Sequence, residues 1–258
     1  MKATLAVAAL LIVSASAGSA ADMAVKAPYV AQPPEFSWSG FYVGVHAGYN
    51  WSSNNWTSGG VVEDPTFLVT PMKPKTDGVL GGVQAGANYQ IASWVVGMEA
   101  DWAFLSRRGS SDGTLLQNGA PAFGGVTITT TATSKIDWLA QFTGRAGYAL
   151  DRTLFYVKGG VAAGETRDNF SLTQVQPGGP TSFIDFGTKN NTLVGWTAGG
   201  GIEHFFSPNW SAKIEYNYVD LGSTSEKFNF VSGVSSLTFR ENIEHKLQIV
   251  KVGGNYKF

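Results

Sequence analysis

The chain has 258 residues, no cysteine and a formal net charge of −1 at pH 7. The balanced charge gives no electrostatic reason to expect a nucleic acid as partner, and a chain without cysteine can form neither disulfides nor thiolate metal sites. Charged residues make up 14% of the chain, whereas glycines number 32 and aromatic residues reach 13%. Soluble domains carry roughly 25% charged residues, so this composition favours a wall that faces lipid.

The first segment has the features of a secretory signal peptide. Lys2 supplies a positive start, an apolar run covers residues 3–17, and small residues lead to Ala20 and Ala21. A transmembrane anchor is the alternative, but it would need about 18 or more consecutive apolar residues. We therefore expect residues 1–21 to be a signal peptide that is removed on secretion.

The next residues, 22–40, contain three prolines and little periodicity, and they predict an extended periplasmic linker. From Phe41 onwards, apolar residues alternate with small or polar ones, which is typical of strands with two different faces. Phe41 and Val43 begin the apolar face of the first such segment, and Tyr42 begins the other. Similar segments recur through residues 41–258, where we find no second domain.

The connections between these segments alternate in length. Tight turns are predicted at Ala92-Ser93, around residues 150–153 and around residues 206–209. Longer polar stretches lie between them, around residues 52–77, 106–132, 165–191 and 222–243. Short turns on one side and long loops on the other predict an all-β fold. We expect an eight-stranded antiparallel transmembrane β-barrel of the outer-membrane type, with short periplasmic turns and four long extracellular loops.

Aromatic residues collect at both ends of the apolar faces, as they do in the interfacial belts of membrane barrels. The predicted girdle residues are Phe41, Trp51, Tyr89, Trp94, Trp102, Trp138, Tyr148, Trp196 and Trp210. A soluble barrel such as a lipocalin is the alternative. It would place its apolar faces inside and its charges outside.

The polar faces of the strands carry charges of both signs. An Arg or Lys that faced the bilayer centre would cost roughly 2–4 kcal/mol, so we expect these side chains to form a structural ion-pair network inside the barrel. The predicted members are Glu99, Asp101, Asp137, Arg145, Lys158, Glu203, Lys213, Glu215 and Lys251. A proton relay or catalytic dyad is the alternative, and the spread of the charges over several strands disfavours it.

The last residues resemble the terminal signal that outer-membrane barrels present to their assembly machinery. Lys251, Gly253, Tyr256 and Phe258 give the pattern polar-x-Gly-x-x-aromatic-x-aromatic. An ordinary edge strand that stops at a phenylalanine is the alternative interpretation.

Several segments resemble the small alphaproteobacterial outer-membrane proteins of the RopB type, a group that includes Brucella and Bartonella surface proteins and hemin-binding proteins. The segments are WSGFYVGVHAGYNW (Trp38–Trp51), GGVQAGANYQ, QFTGRAGYAL, WSAKIEYNYVDLG (Trp210–Gly222) and KVGGNYKF. The resemblance implies an eight-stranded barrel in the outer membrane of a Gram-negative bacterium, exposed at the cell surface. It also implies a role as envelope component, hemin binder or host-contact protein, and it supplies no catalytic residues.

The three histidines, His46, His204 and His245, have no metal-ligand spacing, and we expect neither a metal nor a cofactor. His245 is a candidate hemin ligand, because imidazole can bind haem iron axially and the residue is expected beside a surface loop. A solvated loop histidine is the simpler interpretation.

The sequence thus predicts a non-enzymatic structural component of the outer membrane whose loops contact a host or the environment. Its expected partners are outer-membrane lipid, lipopolysaccharide and the barrel-assembly machinery, with hemin or a host surface molecule as candidates at the loops. The alternatives are capture of hemin or another ligand by the loops, a narrow solute pore, and a lipid-modifying barrel enzyme. The last needs a His with Ser or Asp at the outer leaflet, which these strands do not supply.

Overall fold

The computed structural model describes residues 36–52, 55–61, 67–70, 72, 73, 75, 77–106, 108–117, 120–121, 127–175, 178–179, 181–232 and 235–258. The predicted signal peptide and most of the predicted linker lie outside these residues. Phe36–Phe258 forms one compact unit, whose first residues fall within the stretch predicted as linker. None of the described residues belongs to a helix long and apolar enough to cross a bilayer.

The described residues form twelve strands, numbered here in chain order. They are β1 (Gly40–Ser52), β2 (Asn55–Val61), β3 (Phe67–Val69), β4 (Gly78–Ile91), β5 (Trp94–Leu105), β6 (Arg108–Gln117), β7 (Ala120–Pro121), β8 (Thr127–Leu150), β9 (Thr153–Val175), β10 (Thr181–Phe205), β11 (Trp210–Ser232) and β12 (Ser235–Lys257).

Eight of these strands close into a barrel. β1 pairs with β4, β4 with β5, and β5 with β8. The ring then continues through β9, β10, β11 and β12, and β12 pairs back with β1. Every pairing is antiparallel, so the predicted eight-stranded antiparallel barrel is confirmed.

Three tight turns lie at one end of the barrel, which we call the turn end. They are Ala92-Ser93, Asp151-Arg152 and residues 206–209. Ala92 and Asp151 have positive φ values of 52° and 55°, the left-handed conformation that two-residue hairpin turns demand. The chain enters β1 and leaves β12 at this same end, where Tyr42 pairs with Lys257.

The opposite end, which we call the loop end, contains more β-structure than the sequence predicted. The stretches predicted as loops around 165–191 and 222–243 consist largely of β9, β10, β11 and β12, which run on beyond the barrel ring. These stretches contain many Thr and Phe residues, which favour extended backbone. Among the described residues, these two stretches of the loop end are therefore tall hairpins.

The pleat of the barrel strands turns the apolar face outward. In β5, Met98 and Trp102 are exposed on the outer surface, whereas Val95, Glu99 and Asp101 between and before them are buried inside. Side chains alternate in this way because successive residues of a strand point to opposite sides. The enclosed core of this protein is therefore the lumen of the barrel.

The alternation of inward and outward side chains in β8 reverses partway along the strand. Alternation with period two would put Ile136 on the same outer face as the predicted girdle residue Trp138, but Ile136 is fully buried inside the barrel. The ladder between β8 and β9 shifts register between Ile136 and Trp138, so an extra residue, Asp137, is accommodated there. A bulge of this kind reverses the alternation, and a period-two pattern cannot reveal it.

Candidate functional site

The described side chains inside the barrel form three layers between the turn end and the loop end. An aromatic plug of Phe36, Trp38 and Phe205 lies at the turn end, and a charged network occupies the middle. An apolar layer follows toward the loop end. Together these three layers determine how much of the lumen is filled by side chains.

The aromatic plug begins with the chain segment that precedes β1. Trp38 is completely buried, and its ring lies 4.8 Å from that of Phe205. Its indole Nε1 donates a hydrogen bond of 3.1 Å to the carbonyl oxygen of Asp151, and its backbone N–H donates one of 2.6 Å to Gln90 Oε1. Phe36 packs on Phe205 with a centroid distance of 4.9 Å. These contacts hold residues 36–38 in the mouth of the barrel at the turn end.

Eight ionisable side chains from six strands make up the lumen network. They are Glu99 and Asp101 from β5, Arg145 from β8, Lys158 from β9, Glu203 from β10, Lys213 and Glu215 from β11, and Lys251 from β12. All eight are almost completely buried. The four cations equal the four carboxylates in number, so the network carries no formal net charge.

Glu99 lies at the centre of this network. Its carboxylate is 2.8 Å from Lys213 Nζ, 3.0 Å from Lys158 Nζ and 3.9 Å from Arg145 Nη1. The hydroxyl of Tyr42 donates a further hydrogen bond of 2.8 Å to it. The three cations come from three different strands, so Glu99 ties β5 to strands across the lumen.

Glu215 is a second centre. Its carboxylate lies 2.7 Å from Lys158 Nζ and 3.2 Å from Lys251 Nζ, and the hydroxyl of Tyr156 donates a hydrogen bond of 2.8 Å to it. Lys251 also lies 2.9 Å from Asp101. Each lysine thus joins at least two carboxylates. Buried charges require such multiple partners, because each ion has lost its hydration.

Arg145 connects the network to the turn end. Its Nη1 lies 3.1 Å from Glu203 Oε2, and its guanidinium lies 4.7 Å from the ring centre of Tyr42 and 5.3 Å from that of Tyr156. Glu203 also accepts hydrogen bonds of 2.6 Å from Ser211 and 2.7 Å from Asn255. Cation–π contacts of this kind gain strength where water is excluded.

Glycines make room for the two tyrosines. A Cβ added at Gly201 would lie 2.9 Å from the Tyr156 hydroxyl, and one added at Gly86 would press against that of Tyr42. An eight-stranded barrel has an interior just wide enough for side chains. Small residues opposite large ones therefore let the interior fill completely at this level.

Three carboxylates of the network are close enough to suggest a cation site. Glu99, Asp101 and Glu215 each offer an oxygen within 4.8 Å of the others. The ammonium groups of Lys158 and Lys251 already lie against these oxygens, at 2.7–3.7 Å. The lysines supply the positive charge that a metal ion would bring, so the arrangement is a salt-bridge cluster.

The apolar layer closes the lumen toward the loop end. Its buried members are Leu80, Ala103, Leu105, Ile136, Leu139, Ala162, Val219, Leu221, Leu247 and Ile249. Leu80 comes from β4, and the others come from strands that also contribute to the lumen network, at positions nearer the loop end. Apolar packing of this kind disfavours water and ions at this level of the barrel.

Asp137, predicted in the lumen network, lies elsewhere. Its carboxylate pairs with Lys135 and Arg167, and the Arg167 side chain is 47% exposed. Arg167 also lies 3.8 Å from Glu165. The register shift in β8 puts Asp137 on the outer surface. The prediction that Asp137 belongs to the lumen network was therefore wrong, because the bulge reverses the alternation at this point.

His245 also lies elsewhere than expected. It belongs to β12 rather than to a surface loop, and none of its side chain is exposed. Its Nε2 is 3.7 Å from the Asp168 carboxylate, and neither ring nitrogen has a hydrogen-bond partner among the described residues. A hemin at the surface cannot reach this imidazole, so we do not propose that His245 binds hemin.

The predicted girdle residues lie on the outer surface near the two ends of the barrel. Phe41, Tyr89, Trp94, Tyr148 and Trp210 are toward the turn end, and Trp51, Trp102, Trp138 and Trp196 are toward the loop end. Trp102 stacks on Trp138 at a centroid distance of 4.7 Å. The strand segments between the two rows are the membrane-spanning part of the barrel.

The residues of the predicted assembly signal divide between the two faces of β12. Lys251 and Gly253 point into the lumen, where a Cβ on Gly253 would be 2.9 Å from the Val45 carbonyl oxygen. Tyr256 packs on Trp210 at 5.1 Å and on Phe258 at 5.2 Å. Recognition of these residues by an assembly machinery remains a prediction.

The sequence did not predict the aromatic plug, nor the two tyrosines whose hydroxyls donate hydrogen bonds to the lumen network. Trp38 was placed in the linker, although it stands next to the first alternating residues and begins the WSGFYVGVHAGYNW segment. Tyr42 and Tyr156 each occupy a polar face among glycines and charged residues. An aromatic residue on such a face was the available signal that the lumen is filled.

Comparison with known proteins agrees with this architecture. The chain matches the outer membrane protein beta-barrel domain family over residues 4–258. It is 33% identical to the 31 kDa outer-membrane immunogenic protein of Brucella melitensis, over 98% of this chain and 97% of that protein. It is 28% identical to the 25 kDa outer-membrane immunogenic protein of Brucella abortus, over 97% of this chain and 95% of that protein.

A solved structure, that of the outer membrane protease OmpT from Escherichia coli, is similar with a TM-score of 0.45 and 8% sequence identity. The match covers 88% of this chain and 99% of that one. A likeness this distant carries no information about activity.

The fold and the outward apolar surface define a transmembrane β-barrel of the bacterial outer membrane. The chain belongs to the outer membrane protein beta-barrel domain family, and its Brucella relatives confirm the resemblance to the small alphaproteobacterial outer-membrane proteins.

Replacing the central carboxylate should destabilise the barrel strongly. We expect Glu99→Gln to lower the free energy of unfolding by about 3–5 kcal/mol, because it leaves buried cations without compensation. The measurement is urea-induced unfolding from lipid vesicles. Glu165→Gln, on the outer surface, is the control and should cost less than about 1 kcal/mol.

Adding Lys213→Gln to Glu99→Gln should restore part of the lost stability, because it removes one uncompensated charge. Equal costs for Glu99→Gln and Glu165→Gln would show that the network adds nothing beyond a surface ion pair.

Proposed function

We propose that this protein is a non-enzymatic, non-conducting component of the outer membrane, which anchors a tall β-structure at the cell surface for contact with a host or the environment. The filling of the lumen is the observation that carries the proposal. A barrel whose lumen is filled with packed side chains can anchor surface structure, but it leaves no room for solutes to cross the membrane.

Each layer of the lumen supports this proposal in a different way. The aromatic plug occupies the turn end, where Trp38 is completely buried. In the lumen network, the ammonium groups of Lys158 and Lys213 are buried and paired with carboxylates. Their charge is therefore balanced without a mobile ion. The apolar layer would have to be hydrated before an ion could pass, and burying unpaired charge there is costly.

The loop end supports the surface role. β9, β10, β11 and β12 extend beyond the row of Trp102 and Trp196, and β6 joins them by pairing with β8. An anchor alone would not need such long strands, since about 9–11 residues cross a bilayer. The additional residues present a large, mostly polar surface, and surface segments on rigid scaffolds commonly carry binding functions.

The proposed partners follow from this placement. Lipid and lipopolysaccharide surround the wall, and Lys135 and Arg167 lie just beyond Trp138, at the level where headgroup phosphates are expected. The barrel-assembly machinery is the proposed partner during insertion. A host surface molecule is the proposed partner of the loop end.

Conductance measurements test whether the lumen is closed. The purified protein, inserted in planar lipid bilayers, should show no step-like currents, because the layers in the lumen leave no hydrated path. A porin inserted under the same conditions is the positive control, and the heat-dependent mobility shift on gels verifies that the protein is folded. Regular single-channel steps would instead make the protein a narrow pore.

Cysteine labelling in whole cells tests the orientation of the barrel in the outer membrane. The chain has no cysteine, so single cysteines can be labelled without background. Lys227→Cys, at the loop end, should react in intact cells with a maleimide that cannot cross membranes. Arg152→Cys, at the turn end, should react only after the outer membrane is permeabilised. The reverse pattern would exclude a surface role for the loop end.

A further inference from the structure

Beyond the closed barrel ring, β10 and β11 separate toward the loop end. Their ladder runs from Phe205 and Ser211 to Trp196 and Asp220 and goes no farther among the described residues. Beyond that point, β10 continues to pair with β9 as far as Thr181, and β11 continues to pair with β12. Each of the two strands therefore has one edge without a ladder in this region.

A bulge in β11 marks the point of separation. The ladder between β11 and β12 shifts register between Asp220 and Ser223. Gly222 has a φ of +82°, which L side chains rarely adopt, and its N–H donates a hydrogen bond of 2.9 Å to the Asp220 side chain. A bulge bends the strand that contains it. The bulge in β11 therefore coincides with the point at which its ladder with β10 ends.

The exposure of β10 agrees with an open edge. In β9, Asp168, Phe170 and Leu172 are buried. In β10, the consecutive residues Thr188, Lys189 and Asn190 are all exposed, so both faces of this strand are open to solvent. Such strands are a liability because their backbone groups accept another strand, and native proteins usually cover them.

We propose that the open edge of β10 pairs with the open edge of β11 from a second copy of this chain. Two copies in one membrane share the same orientation, so a two-fold axis along the membrane normal relates them. When the two gaps face each other across this axis, β10 of each copy lies against β11 of the other. The strands run antiparallel, and a single contact closes both gaps.

A second copy fits this site better than an unrelated strand does. Covering both open edges needs two strands of opposite direction, one for each edge, and a second copy brings both together. The chemistry of the edges is also compatible. Thr181–Gly195 contains one acidic and one basic residue, Asp185 and Lys189, and Gly222–Ser232 likewise contains Glu226 and Lys227. Neither edge carries a net charge that would repel the other.

Cysteine cross-linking between differently tagged copies tests the proposal. Thr192→Cys in one copy is combined with Ser223→Cys in the other, and Thr188→Cys is combined with Lys227→Cys. Both pairs lie on one antiparallel register, and all four residues are exposed. Oxidation of whole cells should give a dimer that carries both tags and disappears on reduction. Lys135→Cys with Ser223→Cys is the control, because β8 lies two strands away from the proposed contact.

The alternatives give different products. A chain that carries both Thr192→Cys and Ser223→Cys, if it forms only an internal disulfide, would show that β10 and β11 close on each other, and the proposal would fail. It would also fail if the control pair gave as much dimer, or if the cysteines joined only to another envelope protein. The heat-dependent mobility shift of each variant verifies that the barrel has folded.

Discussion

The structure depends on one constraint: charged side chains of a membrane barrel must stay out of the acyl chains. An Arg or Lys facing the bilayer centre costs roughly 2–4 kcal/mol, and successive residues of a strand point to opposite sides. Once Glu99 and Asp101 are directed inward, the register of β5 is fixed, since a slip of one residue would turn both carboxylates toward lipid. The same holds for Lys213 and Glu215 in β11.

The charges that must point inward also determine what fills the lumen. An isolated buried ion is unstable, but Glu99 receives a lysine from β11 on the opposite side of the barrel, and Glu215 receives lysines from β9 and from the neighbouring strand β12. Pairing across the lumen holds opposite walls together and occupies the space through which solutes would move. The filled interior and the correct register are therefore two results of one arrangement.

Much of this could be predicted from the sequence, because the relevant signal has a period of two. The eight-stranded barrel, its outward apolar face and most of the lumen network follow from alternation and charge. Asp137 and Ile136 were misplaced because a one-residue bulge reverses the alternation without changing composition. Trp38 was missed because its position in the lumen depends on a tertiary contact with Phe205, which a local sequence pattern does not show. His245 was expected beside a loop, although Leu247 and Ile249 follow it in a period-two alternation that indicates the buried face of β12.

The most direct test of the account is a nitroxide scan along β5, made by placing single cysteines from Trp94 to Phe104 in the otherwise cysteine-free chain. In lipid vesicles, oxygen dissolves in the acyl region and broadens the spectra of labels that face it. The account predicts high oxygen accessibility at the even positions, such as Met98 and Ala100, and low accessibility at the odd positions, such as Glu99. High accessibility at the odd positions, or no alternation at all, would contradict it.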